Sequence, residues 1–156
     1  MMQSNDKSRL RQQTTTTTTT TTNIRNKIDF CQMSAFKQFK SPFYCVISND
    51  ECDFICHTIF IMATSDYFRG MLDQTEDEYE YGEIKNGIDY RRKIPRIYVK
   101  RFDSHSLESF IKFAYMLRLD HIDSIMMKKL LEFSSYINCI EMMNYLEMKS
   151  KEFNLH

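Results

Sequence analysis

The chain has 156 residues, which is enough for one domain of ordinary size. Its 21 basic and 21 acidic side chains cancel, so it lacks the basic excess that is typical of general nucleic-acid-binding proteins. Hydrophobic residues make up 42% of the chain, whereas there are only 3 glycines and 2 prolines. This composition disfavours all-β folds, which need frequent turns, and favours helices with a few strands.

No export or membrane signal is visible in the sequence. The first 27 residues contain no apolar stretch of the kind found in signal peptides. The longest uninterrupted apolar run, 59–63, is far shorter than the roughly 20 residues that span a bilayer. The five cysteines are an odd number without a secretory signal, which indicates reduced thiols. We therefore expect a cytoplasmic or nuclear protein without a membrane partner.

Residues 1–26 form a polar tail that contains an unbroken threonine tract at 14–22. A segment without an apolar face cannot offset its ordering entropy, so the tail is predicted to be disordered. We interpret the tract as a repeat expansion rather than a modified stalk, because nothing that flanks it favours modification. The domain is then expected to occupy residues 27–156, with its core at about 41–153.

The first part of the domain predicts a weak helix followed by a β-hairpin. Residues 26–40 carry scattered apolar positions, and Pro42 then breaks the chain. Residues 43–48 are rich in aromatic and β-branched side chains, which favour a strand. A polar turn at 49–51 separates this strand from a second strand at 52–56.

Residues 57–72 predict a pair of helices. The stretch 58–63 is apolar on nearly all sides, so we expect this first helix to be central and buried. Ser65 offers a cap for a short second helix. The charged segment 73–96 that follows is predicted to be a long, mobile loop, acidic at first and then basic.

The remaining sequence predicts a third strand at 96–99 and three helices. Asp103 or Ser104 can cap the first helix, and its apolar positions recur at helical spacing. Two further helices are expected from Ser124 to Ile137 and from Ile140 to Phe153. The order is hairpin, helix pair, strand, helix, helix pair. We therefore expect an α+β (mixed α/β) fold, with a small sheet of short strands flanked by a cluster of helices.

The sequence offers no catalytic constellation. Phosphate-binding glycine loops and nucleophile elbows are absent. His57 would need a nucleophile or carboxylate within reach to act as a base, and none is predictable. Cys45, Cys52 and Cys56 beside His57 give an incomplete zinc pattern without a second pair, and cysteine also serves as a small buried residue. We expect no enzyme activity, no metal and no cofactor.

Residues 54–72 read Phe-Ile-Cys-His-Thr-Ile-Phe-Ile-Met-Ala-Thr-Ser-Asp-Tyr-Phe-Arg-Gly-Met-Leu. This block resembles the core signature of the BTB/POZ domain family, in which a strand leads into a buried His, an apolar helix, a Ser, an aromatic pair and a short helix. The later elements follow in the family's order, so the resemblance covers about 41–153. The chain departs from the pattern where it lacks an Asp at the start of the first strand and has Met116-Leu117 in place of a frequent Thr-Gly. The loop at 73–96 is also longer than in many members.

The resemblance implies a non-catalytic protein-interaction module that pairs with a copy of itself or with another BTB protein. In the family the dimer contacts come from a helix that precedes the first strand, so the expected contact residues here are Ile28, Phe36 and Phe39. The resemblance also implies a structural core that includes His57, Phe60, Tyr67, Phe68, Phe110 and Tyr115.

Many family members, the Kelch-like proteins among them, are ubiquitin ligase adaptors that bind a cullin scaffold through an apolar-x-Glu motif. The usual offset falls near Glu78, where the apolar residue is missing, and Tyr81-Gly82-Glu83 supplies the pattern later in the loop. We expect weak cullin binding through Tyr81 and Glu83 unless the loop is ordered, because ordering costs about 1–2 kcal/mol per residue.

An adaptor also needs a substrate-binding domain such as Kelch repeats or MATH. None appears before His156, so the chain is expected to be a fragment, a stand-alone BTB protein or a competing partner. The alternative is a transcription-associated or nucleic-acid-linked protein that uses basic segments around Arg9, Arg25 and 91–93. The zero net charge counts against a nucleic-acid partner.

Overall fold

In the computed structural model, which describes residues 25–154, the chain forms an α+β fold. The strands of this part of the chain are β1 (Asn26–Asp29), β2 (Tyr44–Ser48), β3 (Cys52–His57), β4 (Glu78–Tyr81), β5 (Ile84–Lys85), β6 (Ile88–Asp89) and β7 (Arg92–Tyr98). Its helices are α1 (Thr58–Thr64), α2 (Asp66–Gln74), α3 (Ser104–Met116), α4 (Ser124–Tyr136) and α5 (Ile140–Phe153).

The main sheet has five strands in the order β1-β3-β2-β7-β4. The predicted hairpin is present as the antiparallel pair β2 and β3, joined by the predicted polar turn. The predicted third strand is β7, which begins earlier than expected and runs parallel to β2. The edge strands are β1, parallel to β3, and β4, antiparallel to β7.

The two faces of the sheet are covered differently. Alternate residues of β2 and β3, such as Ile47 and Phe54, point into the large core that the helices fill. The opposite face carries a small cluster around Val46 and Ile55, against which tyrosines of β2 and β4 pack. Gln32, just after β1, donates a hydrogen bond to the hydroxyl of Tyr81 in β4 at 3.3 Å. This bond brings the two ends of the sheet together, so the sheet is curled.

The helix pair and the three later helices lie where the sequence predicts them. The Ser65 hydroxyl accepts a hydrogen bond from the backbone N–H of Phe68 at 3.2 Å, which caps α2 as expected. Asp103 caps α3 by accepting from the N–H of Ser106 at 2.7 Å. The cap of α4 is Asp123 rather than the expected Ser124, which is the first helical residue.

The prediction of a helix at 26–40 is wrong. Residues 26–29 form β1, and a single 3-10 turn follows at Phe30–Gln32. The strand depends on pairing with β3, in which Ile28 lies opposite Phe54, and this long-range contact leaves no periodic pattern in the sequence. The expected tail also ends earlier than residue 26, because Arg25 and Asn26 belong to the fold. The threonine tract lies outside the described residues.

The prediction of a loop at 73–96 is also wrong. Its first two residues complete α2, and the rest forms a long β-hairpin in which β4 pairs with β7 and β5 pairs with β6. Asn86 and Gly87 both have positive φ, 50° and 77°, which is the geometry of a two-residue hairpin turn. We refer to residues 76–91 as the hairpin arm and to residues 83–90 as its tip.

The carboxylate of Asp53 is nearly buried in β3 and is held by three side chains. It accepts hydrogen bonds from the Ser48 hydroxyl at 2.6 Å and from the Arg25 guanidinium at 2.9 Å, and Arg96 lies 3.6 Å away. Burial acts to raise the pKa of Asp53, but the hydrogen bonds from Arg25 and Ser48 outweigh it and hold that pKa below its usual value. Arg25 also donates to the backbone carbonyl of Asn49, so it joins β1 to the β2–β3 turn.

His57 joins the end of β3 to the helices. Its backbone N–H donates to the Tyr115 hydroxyl at 2.7 Å, and its Nδ1 lies 2.7 Å from the same oxygen. Burial lowers the pKa of His57, which favours the neutral imidazole. Of the other residues expected in the core, Phe68 and Phe110 are fully buried, whereas Phe60, Tyr67 and Tyr115 are half-buried against it.

We predict that Arg25→Ala lowers the free energy of unfolding by about 1–3 kcal/mol, because it removes a charged donor from a nearly buried carboxylate. Urea unfolding near neutral pH measures this change. Arg91→Ala is the matched control, since it breaks an ion pair with Asp89 that is exposed and should therefore add little stability. Equal effects of the two substitutions would contradict the role assigned to Arg25.

We also predict that acidification destabilises the protein through His57. The unfolded chain takes up a proton at His57 near its ordinary pKa of about 6.5, whereas the folded state resists protonation. The contribution is complete above that value and is lost as the pH falls through the folded pKa. Between about pH 7.5 and about pH 5.5, His57→Gln should therefore lose less unfolding free energy than the wild type. Parallel pH profiles would refute the prediction.

Candidate functional site

Helix α1 has two apolar sides and only one of them is covered. Ile61 is buried against α3 and the sheet, as the sequence predicts. Ile59, Met62 and Ala63 have the spacing i, i+3, i+4 and lie together on the opposite side. Ile59 is 60% exposed, so the expectation that this helix is central and buried holds only for the side that carries Ile61.

The uncovered side of α1 forms one wall of an open groove of about 910 Å³. The segment before β2 forms the second wall, where Phe43 is 70% exposed. Its backbone carbonyl accepts a hydrogen bond from the N–H of Thr58 at 3.1 Å, which fixes this segment beside the first turn of α1. The start of β7 forms the third wall. The apolar lining residues are Pro42, Phe43, Tyr44, Ile59, Met62, Ala63, Ile94 and Pro95.

The charged residues that line the groove are all cations. They are Arg69, Arg92 and Lys93, and no acidic residue is among the lining residues. The Arg92 guanidinium lies 4.4 Å from the ring centroid of Tyr44, where it extends the surface of that wall. Arg69 donates to the backbone carbonyl of Met62, which holds its charge at the end of α1. The site is therefore an apolar surface with a basic rim.

This arrangement is suited to binding a protein surface. An exposed apolar patch with a polar rim is typical of interaction sites, and a groove of this volume lies in the range of ligand-binding clefts. Among residues 25–154, no three His, Cys, Asp or Glu side chains are placed to hold a metal ion. None of the helices in this range has the length and apolar character needed to cross a bilayer.

The cysteines near His57 serve as core residues. Cys45 and Cys56 lie opposite each other on β2 and β3, with their sulfur atoms 3.7 Å apart. Both are fully buried, and burial raises the pKa of the Cys56 thiol well above its usual value. Protonated, buried thiols of this kind are poor nucleophiles and pack as small apolar groups.

The three residues expected at a dimer contact pack within their own chain. Phe36 is buried in the core, and Ile28 is half-buried against it. Phe39 packs edge-on against Phe60, with ring centroids 4.9 Å apart, and remains 37% exposed. None of these three side chains lines the groove.

The three residues expected to contact a cullin lie on the hairpin arm. Glu78 is exposed in β4 and pairs with Lys93 at 3.5 Å. Glu83 is exposed and pairs with Lys85 at 2.8 Å. Tyr81 is half-buried, with its ring centroid 5.2 Å from that of Tyr44, and burial raises its pKa. Tyr81 is thus part of the sheet, not of a flexible loop.

Sequence reasoning therefore missed the groove. One signal was present, because the stretch 58–63 is apolar on more sides than a short helix can bury against one core. A second signal was Phe43, an aromatic residue directly after Pro42, which the sequence assigned to a strand. The structure places it just outside β2, where it is exposed.

No protein-family model matches the chain, and no curated protein matches it significantly.

Proposed function

We propose that this chain is a non-catalytic protein-interaction module of the BTB/POZ type and that it self-associates through the groove. The observation that carries the proposal is the uncovered apolar side of α1. A continuous apolar surface on an isolated chain costs free energy in water, and a second copy is the commonest partner that covers such a surface.

The element order supports the choice of family. A hairpin (β2–β3), a helix pair (α1–α2), a strand (β7), a helix (α3) and a second helix pair (α4–α5) occur in the order of the family signature, with the strands β4, β5 and β6 inserted between α2 and β7. The departure at Met116-Leu117 is compatible with this reading. Leu117 ends α3 in the left-handed conformation with φ 55°, which is the conformation that glycine usually supplies at this position.

A cullin-adaptor role is a further proposal with less support. It could use the exposed carboxylate of Glu83, but Tyr81 is packed in the sheet and is not free to insert into a partner. The nucleic-acid alternative is supported less still. Arg25 is held by Asp53, Arg91 by Asp89 and Glu80, and Lys93 by Glu78, so these cations already have acidic partners.

We predict that the protein is a dimer at tens of micromolar and that Ile59→Arg makes it largely monomeric. The substitution places a cation on the apolar wall of the groove and should weaken association at least about tenfold, or 1.4 kcal/mol. Size-exclusion chromatography with light scattering measures the mass. Ile125→Arg is the control, because Ile125 is exposed on α4 and does not line the groove. A monomeric wild type would rule the proposal out.

A further inference from the structure

The tip of the hairpin arm is a second exposed apolar surface. Ile84, Ile88 and Tyr90 are 57%, 55% and 60% exposed, although tight hairpin tips commonly carry polar residues. The tip does not fold back onto its own chain, since all three side chains face solvent. It is nevertheless well defined, because the turn at Asn86 and Gly87 fixes the register of β5 and β6.

The hairpin arm and the groove have opposite charge. Between residues 76 and 91 the chain has six carboxylates and two basic side chains. The groove is lined by three cations and by no acid. Arg69 and Lys93 pair with Asp66 and Glu78 of their own chain, at 2.8 Å and 3.5 Å, so their charges are partly balanced. Two grooves placed face to face would still bring Arg92 of one copy close to Arg92 of the other. Like charges facing each other oppose association, so an acidic occupant is favoured over a second groove.

We propose that two copies of this chain exchange their hairpin arms, so that the apolar tip of each arm enters the groove of the other copy. This inference rests on the self-association proposed above and names the segment that fills the groove. The exchange covers the apolar wall of the groove and the apolar tip of the arm at once. It also places the acidic arm beside the basic rim.

The position of the arm permits a closed pair. β7 supplies one wall of the groove through Ile94 and Pro95. The same strand pairs with β4, which we call the stem of the arm: Glu78 lies opposite Pro95, and Tyr81 lies opposite Arg92. The arm therefore begins at the groove of its own chain. With a two-fold axis beside this wall, each arm would reach the groove of the other copy. The two contacts would then be identical, and the pair would be closed rather than adding further copies.

The arm is also stiff enough to bind without a large entropy cost. Gly82 has φ 115°, and a Cβ at this position would lie 2.8 Å from the backbone oxygen of Tyr90. Only glycine therefore fits where β4 passes into the tip. Tyr81 fixes the stem through its contacts with Tyr44 and Gln32. A segment that is ordered before binding retains more of its contact energy as affinity.

A complementation experiment tests the exchange. The arm variant carries Ile84→Ser and Ile88→Ser, and the groove variant carries Ile59→Arg. In a pair of arm variants both contacts lack the apolar tip, and in a pair of groove variants both contacts lack the groove. A mixed pair has one intact arm in one intact groove. We expect each variant alone to be mainly monomeric and an equimolar mixture to form a heterodimer weaker than the wild-type dimer.

Native mass spectrometry of the two variants, one of them isotope-labelled, distinguishes the heterodimer from either homodimer. Thermal melts monitored by circular dichroism check that both variants fold. Ile125→Arg mixed with the arm variant is the matched control, because its own arm and groove are both intact. It should form its own homodimer at wild-type strength. A second arm variant, Gly82→Ala, keeps the apolar side chains but strains the stem, and it should also weaken dimerisation.

The outcomes separate this inference from the proposed function. If the groove variant is monomeric while the arm variant dimerises like the wild type, self-association through the groove stands and the exchange is overturned. If both variants are monomeric but their mixture forms no heterodimer, the exchange is likewise overturned. A wild-type protein that is monomeric at tens of micromolar overturns both proposals.

Discussion

Asp53, in β3, holds the strands of the main sheet together. Its carboxylate is bonded to Ser48 of β2 and to Arg25, which precedes β1, and it lies close to Arg96 of β7. A nearly buried carboxylate must keep such partners, because leaving it without them costs more than the hydrogen bonds gain. This requirement draws the N-terminal strand onto β3 and holds β7 beside β2. The contacts of Arg96 with Asp53 and Ser48 therefore also fix the position of β7, which forms one wall of the groove.

The helices impose the second constraint. Helix α1 is only seven residues long and is joined to β3 through His57, so its orientation is set by the hydrogen bonds to Tyr115. Because Ile61 points into the core, the helical spacing places Ile59 and Met62 on a different side of α1, away from the core. The groove is thus a consequence of placing an apolar sequence on a helix that can bury one side. In the part of the chain that the structure describes, this side of α1 stays uncovered.

The elements that could be predicted from the sequence are those with a local pattern. The caps at Ser65 and Asp103, the helical periodicities and the β2–β3 hairpin depend on neighbouring residues, and the structure confirms them. β1 could not be predicted, because Asn26–Asp29 becomes a strand only by pairing with β3. The hairpin arm could have been predicted, since Asn86-Gly87 is a strong hairpin signal. The apolar stretch 58–63 and Phe43 pointed to an uncovered surface, but the shape of the groove could not be predicted, because it combines three separate segments of the chain.

The parallel pairing of β2 with β7 bears on how the chain folds. Val46 lies beside Arg96, about fifty residues later, so this contact closes a long loop. The hairpins β2–β3 and β4–β7, in contrast, join residues that are close in sequence and can form in about 1–10 μs. Closing the long loop costs entropy before any contact repays it. We therefore expect the docking of the two hairpins to be the slow step of folding, during which the edges of β2 and β7 are open to pairing with other chains.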